Sequence, residues 1–222
     1  MTEARTTHAK RRRPTQSRSR ATSDAIQQAF VQLLTEKSYA KVSIRELIHL
    51  AGVGIGSFYE YFATKDALAA VCIRRQVRAV ATGMAASIER TQGQPLPERV
   101  DALLLAQCAE PLAEARLWAA LFLVERQVSG IEAFRSLYDE FVALWAKVLE
   151  GHLAPAQVPD AALAAHAIIY GLVSQVLLVR GAPPDAQAVL RTLRSAVHGY
   201  LSRLAPQAYR DFGFDQGLAQ NA

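Results

Sequence analysis

The 222-residue sequence predicts an all-α protein, and three observations carry that expectation. Helix-forming Ala and Leu dominate after residue 66. No long period-2 run of β-branched residues appears, and no Asn-Gly hairpin turn. Gly (12) and Pro (9) are sparse and fall where helices would break. With 51% hydrophobic residues the chain can bury a sizeable core.

The elements follow in order. Residues 1–20 are polar and basic, with Arg5, Lys10, Arg11, Arg12, Arg13, Arg18 and Arg20 against Glu3 alone. Lacking apolar residues, this arm is expected to be disordered when free. A first helix is expected over residues 22–37, where Ile26, Ala29, Phe30, Leu33 and Leu34 form one apolar stripe. A second opens at Ser43, whose S-x-x-E spacing to Glu46 predicts a capping box, and stops at Gly52. A third covers about residues 54–62, anchored by Phe58 and Phe62 at i, i+4. Thr64 caps a fourth that runs to about Arg90, with Asp66 at its positive dipole end. Further helices are expected near 97–109, 113–128, 131–151, 160–180 and 185–204, with breaks at Pro111, at Ser129 and Gly130, over 151–159 and over 181–184. The tail after Pro206 is expected to fray.

Charge singles out the first third of the chain. Residues 1–68 hold 11 Lys/Arg against 6 Asp/Glu, whereas residues 69–222 balance 14 against 14. The basic excess therefore coincides with two short helices joined by a glycine turn. That is the layout of a helix-turn-helix, which sets a helix into the DNA major groove.

Other classes are poorly supported. There is no Gly-rich phosphate loop, HExxH, G-x-S-x-G or paired carboxylate at helical spacing, so no enzyme, catalytic residue or cofactor is expected. Cys72 and Cys108 lie 36 positions apart with no CxxC, which speaks against a metal site and for reduced thiols in a cytoplasmic protein. No apolar stretch follows the basic N-terminus at signal-peptide distance. Residues 161–179 carry no Asp, Glu, Lys or Arg, but a helix apolar on most faces can be buried in protein, and no membrane partner is expected.

Ser43 and Ile44, then Ala51, Gly52 and Val53, then Ser57, Phe58, Tyr59, Glu60, Tyr61 and Phe62, then Lys65 and Asp66 together resemble the DNA-binding domain of the tetracycline-repressor (TetR) family over residues 20–68. The resemblance implies an N-terminal three-helix DNA-binding domain followed by a C-terminal helical ligand-binding and dimerisation domain. Candidate DNA contacts are Ser43, Arg45, Gly54, Ile55, Gly56, Ser57, Tyr59, Tyr61 and Lys65. An arginine fork at 45 suits guanine or phosphate. Two glycines flanking a recognition helix permit close approach of a sugar-phosphate chain. Hydroxyls at 57, 59 and 61 can donate to phosphates, and a lysine at a helix start opposes the dipole, which a nearby phosphate would explain. Many relatives carry a polar or basic residue where this chain has Ile55, and His, Arg or Trp where it has Glu60. Ile55 can meet only a thymine methyl.

In the C-terminal part, Phe134, Tyr138, Phe141 and Trp145 form an aromatic stripe, and Trp118 with Phe122 an i, i+4 pair. Such residues are ordinary core material. The resemblance implies that some enclose an apolar effector cavity, giving Trp118, Phe122, Tyr138, Phe141, Trp145, His166 and Tyr170 as candidates. It also implies that residues 160–180 and 185–204 pair with a second copy, through Ala162, Ala165, Ile169, Val173, Val176, Leu190, Leu193, Val197 and Tyr200. The expected organisation is a disordered arm (1–19), a helix-turn-helix domain (20–66), an effector-binding and dimerisation domain (67–206) and a tail (207–222). The expected function is a cytoplasmic, ligand-responsive regulator, a repressor binding a palindromic operator in double-stranded DNA as a homodimer and released by a small apolar or amphipathic effector. A nonspecific DNA binder relying on the basic arm, and a helical enzyme, are the alternatives.

Overall fold

A computed structural model describes residues 14–179, 185–210 and 212. Among these residues it contains α1 (Pro14–Glu36), α2 (Ile44–Ala51), α3 (Ile55–Tyr61), α4 (Lys65–Arg90), α5 (Leu96–Ala113), α6 (Ala115–Val128), α7 (Ile131–Leu149), α8 (Val158–Val179) and α9 (Ala186–Leu204), and no strand. One 3-10 turn, Tyr39–Lys41, lies between α1 and α2. The chain divides at Leu68 and Ala69 into two compact units.

In the first unit α1 packs on α2 and α3. The expected stripe is in the core: Ile26 and Phe30 of α1, Leu47 of α2 and Phe58 of α3 are all fully buried, and Leu33, Leu34, Val42 and Phe62 nearly so. Fully burying such side chains is worth roughly 1.5–3 kcal/mol each. α1 starts at Pro14, eight residues before the expected start, so residues 14–19 are helical rather than part of a disordered arm. Proline at the first helical position loses no hydrogen bond and presets the helical φ. The polar turns after it carry no apolar period, which is why pattern reading missed them. Residues 1–13, with most of the basic arm, lie outside the described residues.

α2 has the capping box that its sequence predicts. Ser43 Oγ accepts from the Glu46 amide at 3.3 Å, and Glu46 Oε2 accepts from the Ser43 amide at 3.0 Å. Gly52 ends the helix at φ +66°, left-handed backbone that costs glycine nothing. Glu46 also pairs with Lys37 at the end of α1. The Lys37 ammonium, with the Ser43 hydroxyl and amide, holds this carboxyl well below the usual carboxylate range.

The second unit is built around α8, which packs against α5, α6, α7 and α9. Ala161, Ala162, Ala165, Ile169, Val173 and Leu177 are its buried side. α8 is long and apolar enough to cross a bilayer, yet these contacts bury one side of it within the unit. α5 does not break at Pro111 but ends two residues later, at Ala113, because a proline in the last turn forfeits a single backbone bond. Cys72 and Cys108 are buried and not joined in a disulfide, and desolvation pushes both thiols up to about 12. The chain beyond α9 does not fray at once. Tyr209 is buried and its hydroxyl lies 3.0 Å from His198 Nδ1, while His198 Nε2 lies 2.9 Å from Asp101 of α5 and Phe212 packs on the same imidazole. Residues 213–222 lie outside the described residues.

Candidate nucleic-acid interface and ligand cavity

Alternation of buried and exposed residues along α3 defines an outward face. Phe58 is fully buried and Phe62 nearly so, fixing α3 on α1 and α2. Opposite them Ile55 and Tyr59, at i and i+4, are 50% and 54% exposed, beside exposed Gly56 and Glu60. Two large side chains half open to solvent on a seven-residue helix are not accounted for by packing. Ser43 and Arg45 are exposed at the start of α2, and Ser57 is half-buried.

Gly54 is the N-cap of α3, a position that favours glycine, but Gly56, inside the helix, has an ordinary role in neither sterics nor turn geometry. A Cβ at either would meet nothing within 4 Å, and neither has a positive φ. Glycine in an exposed helix costs roughly 1 kcal/mol relative to alanine. The free molecule gives no return for that cost, so the smooth surface at Gly56 is available to something that approaches from outside.

Tyr61 and Lys65 face inward instead. The Tyr61 hydroxyl donates to Ser19 Oγ of α1 at 3.1 Å. Lys65 Nζ donates to the carbonyls of Tyr39 (3.0 Å) and Val42 (2.9 Å) and sits 4.2 Å from the centre of the Tyr39 ring. Tyr39 in turn bonds to Asp66. The cation that a phosphate was expected to explain is thus held by two backbone carbonyls of the 3-10 turn region, which it clamps to the start of α4. That turn has no sequence signature, so the partners were not legible.

The second unit contains a largely apolar cavity that opens to solvent. Of the expected residues, Trp118, Phe122, Tyr138, Phe141, His166 and Tyr170 line it. Trp145 does not. It is fully buried behind the wall, where its Nε1–H donates to Gln107 Oε1 at 2.7 Å. Because an indole only donates, this contact fixes the amide, and Gln107 Nε2 must be the donor to His166 Nδ1 at 3.1 Å. His166 therefore accepts at Nδ1 and carries its proton on Nε2. Burial lowers its pKa to about 4. Gln107 and Glu125 are lining residues that sequence reading missed; the available signal was a lone polar residue on an otherwise apolar helix face.

The residues expected at a subunit interface mostly point into their own unit. Ala162, Ala165, Ile169, Val173, Leu193 and Val197 are buried within the chain, and Ile169 and Val173 also line the cavity. Only Val176, Leu190 and Tyr200 are partly open. The outward side of α8 carries Leu163, Ala167, Gln175 and Val179 instead, and that of α9 Thr192, Ser195 and Ala196. Among the described residues no group of three or more His, Cys, Asp or Glu is placed to hold a metal ion.

An exposed short helix, held by a capped partner across a glycine turn, is the DNA-reading element of a helix-turn-helix transcriptional regulator. Residues 26–72, which run from α1 into α4, match the family model described as bacterial regulatory proteins, tetR family. No match was found among curated protein sequences. Solved structures share the fold. A TetR transcription regulator from Haloarcula marismortui is 21% identical, with a TM-score of 0.67 over 82% of this chain and 97% of that one. The putative transcriptional regulator from Pseudomonas aeruginosa PAO1 is 21% identical, with a TM-score of 0.66 over 90% and 96%. The fatty acid degradation regulator FadR from Bacillus halodurans is 16% identical, with a TM-score of 0.65 over 79% and 97%.

Proposed function

We propose that this DNA-binding regulator is a cytoplasmic repressor that binds a palindromic operator as a homodimer and is released by a small molecule. The outward face of α3 carries the reading: Ile55 and Tyr59 exposed on either side of a glycine whose missing side chain serves nothing inside the molecule. In this reading Tyr59 and Ser57 donate to phosphates, Arg45 reaches phosphate or guanine, and Gly54 and Gly56 admit the sugar-phosphate chain. Ser43 caps α2: its hydroxyl accepts from the Glu46 amide and donates to the Glu46 carboxylate, so it could donate to a phosphate only by giving up that second bond. One seven-residue helix reads few base pairs, which is why a two-fold pair is required.

A second copy is the occupant proposed for the outward side of α8, where Leu163 and Val179 are 45% and 74% exposed at either end of the uncharged stretch 161–179. The face is the one described above, not the buried stripe. For the switch, α4 supplies Ile73, Val77 and Val80 to the cavity wall, and its first turn contains the Lys65 clamp. A ligand that displaces the wall acts on that same helix. A coupling of about 1–3 kcal/mol, or 5–150-fold in operator affinity, is typical and sufficient.

Selection of bound sites from a random duplex pool by the full-length protein tests the reading. A recovered palindrome bound by a dimer supports it; uniform affinity with a steep salt slope would instead assign the protein to nonspecific binding. Within that assay, Gly56→Ala is expected to raise thermal stability slightly, by up to ~1 kcal/mol from helix propensity, while weakening operator binding at least several-fold. Stability and affinity moving together would place the glycine's role inside the protein. Tyr59→Ala is expected to weaken binding by about tenfold, as loss of a charge-assisted phosphate contact implies, with the melting temperature unchanged because its side chain is half exposed.

A further inference from the structure

Glu125 is an unusual lining residue. It is 7% exposed, lines the cavity, and makes no hydrogen bond or ion pair with any described residue. The adjacent Arg126 forms no ion pair with it, since that side chain is exposed and donates to the Phe122 carbonyl at 3.2 Å; burial raises the Glu125 pKa, and the Arg126 charge offsets only part of that rise. A buried carboxylate without a partner is costly, and folds retain one where something else supplies the partner.

The rest of the lining narrows what that something is. Glu125 is the only acidic residue there, and no lysine or arginine lines the cavity, so an anionic ligand would find no countercharge. His166 does not fill that gap: burial keeps it neutral, and its Nδ1 is committed to Gln107. The remaining wall is aromatic, with Trp118, Phe122, Phe134, Tyr138 and Tyr170 in mutual contact through edge-to-face, tilted and stacked pairs. Ring faces attract cations, most strongly when both are removed from water. Tyr170 lies within the field of the carboxylate: burial raises its pKa, the Glu125 charge raises it further, and Arg126 lowers it in part. The acid and an aromatic wall therefore share one region of the cavity.

We propose that the effector is a monocationic amphiphile, an amine or quaternary ammonium on an apolar or aromatic body, with its charge set against Glu125 and ringed by the aromatic wall. This rests on the reading of the cavity as the effector site. The cation supplies the partner that the carboxylate lacks in the free protein, and the body replaces water against the apolar lining.

Calorimetric titration of the full-length protein with three probes of similar shape tests it: phenyltrimethylammonium, the isosteric neutral tert-butylbenzene, and anionic benzenesulfonate. The expected result is binding of the cation about tenfold or more tighter than the neutral isostere, with no binding of the anion. In Glu125→Gln, which keeps shape and removes charge, the cation should fall to the level of the neutral probe, with melting temperature unchanged or raised. If the neutral or anionic probe binds wild type as tightly as the cation, or the variant keeps the preference for the cation, the cation assignment is overturned while the cavity stands as an effector site. If none of the three binds at millimolar concentration, the effector reading of the cavity falls with it. The wild-type comparison decides the matter even if the variant does not fold.

Discussion

Folding stability is expected to drop by up to about 3 kcal/mol between pH 6.5 and pH 4 because of one residue, His166. Its unfolded pKa is near 6.5, and in the folded chain burial lowers it to about 4. Between those values the unfolded state binds a proton that the folded state refuses, so stability is lost as pH falls through the window and levels off below it. The roughly 2.5-unit gap at about 1.36 kcal/mol per unit sets the upper size. The hydrogen-bond chain adds a reason beyond burial. A proton on Nδ1 would face the Gln107 amide N–H, and the amide cannot turn over because Trp145 holds its oxygen. Chemical denaturation from pH 7.5 to 4 should show this slope in the wild type and not in His166→Gln, whose side chain does not titrate. Trp145→Phe releases the amide to flip, so it should raise the His166 pKa and flatten the slope. An identical slope in all three proteins would mean that other groups carry the acid sensitivity.

Lys65→Met is expected to cost about 2 kcal/mol of stability, from loss of two charge-assisted bonds in a half-buried site. Methionine keeps the length and the apolar stem but offers nothing to the Tyr39 and Val42 carbonyls. The loss should be visible in denaturation of the full-length protein without DNA. Operator binding should weaken only as far as the 3-10 turn and the start of α4 lose their anchoring. The opposite pattern, full stability with operator binding abolished, would return Lys65 to the phosphate contact that the family resemblance implied.

What could be read from the sequence depended on whether a residue's partner was local. The capping box of Ser43 and Glu46, the Gly52 stop and the Phe58/Phe62 anchors are interactions within one turn or two, and spacing alone announces them. Periodicity also found the stripe of α1. It failed where a helix offers no contrast. α8 is apolar almost all round, so an apolar residue such as Ala162 or Val173 says nothing about which side meets the core, and the inward residues were assigned to the interface. Trp145 belonged to a correct aromatic stripe, but a stripe cannot tell a cavity wall from the layer behind it. Lys65, Gln107 and Glu125 depend on partners or enclosures 20 to 60 positions distant, which no local pattern encodes.

The state of Cys72 and Cys108 has a practical and a physiological side. With both sulfurs enclosed and their thiolates suppressed, neither is a nucleophile at neutral pH, so peroxide or an alkylating reagent meets an inert surface. The regulator is thus insulated from oxidant signals through its own sulfur chemistry. A single cysteine placed outside, for instance by Tyr59→Cys, would be the sole quickly labelled position among the described residues, giving a fluorescent reporter on the exposed face of α3 without removing any native residue from the core.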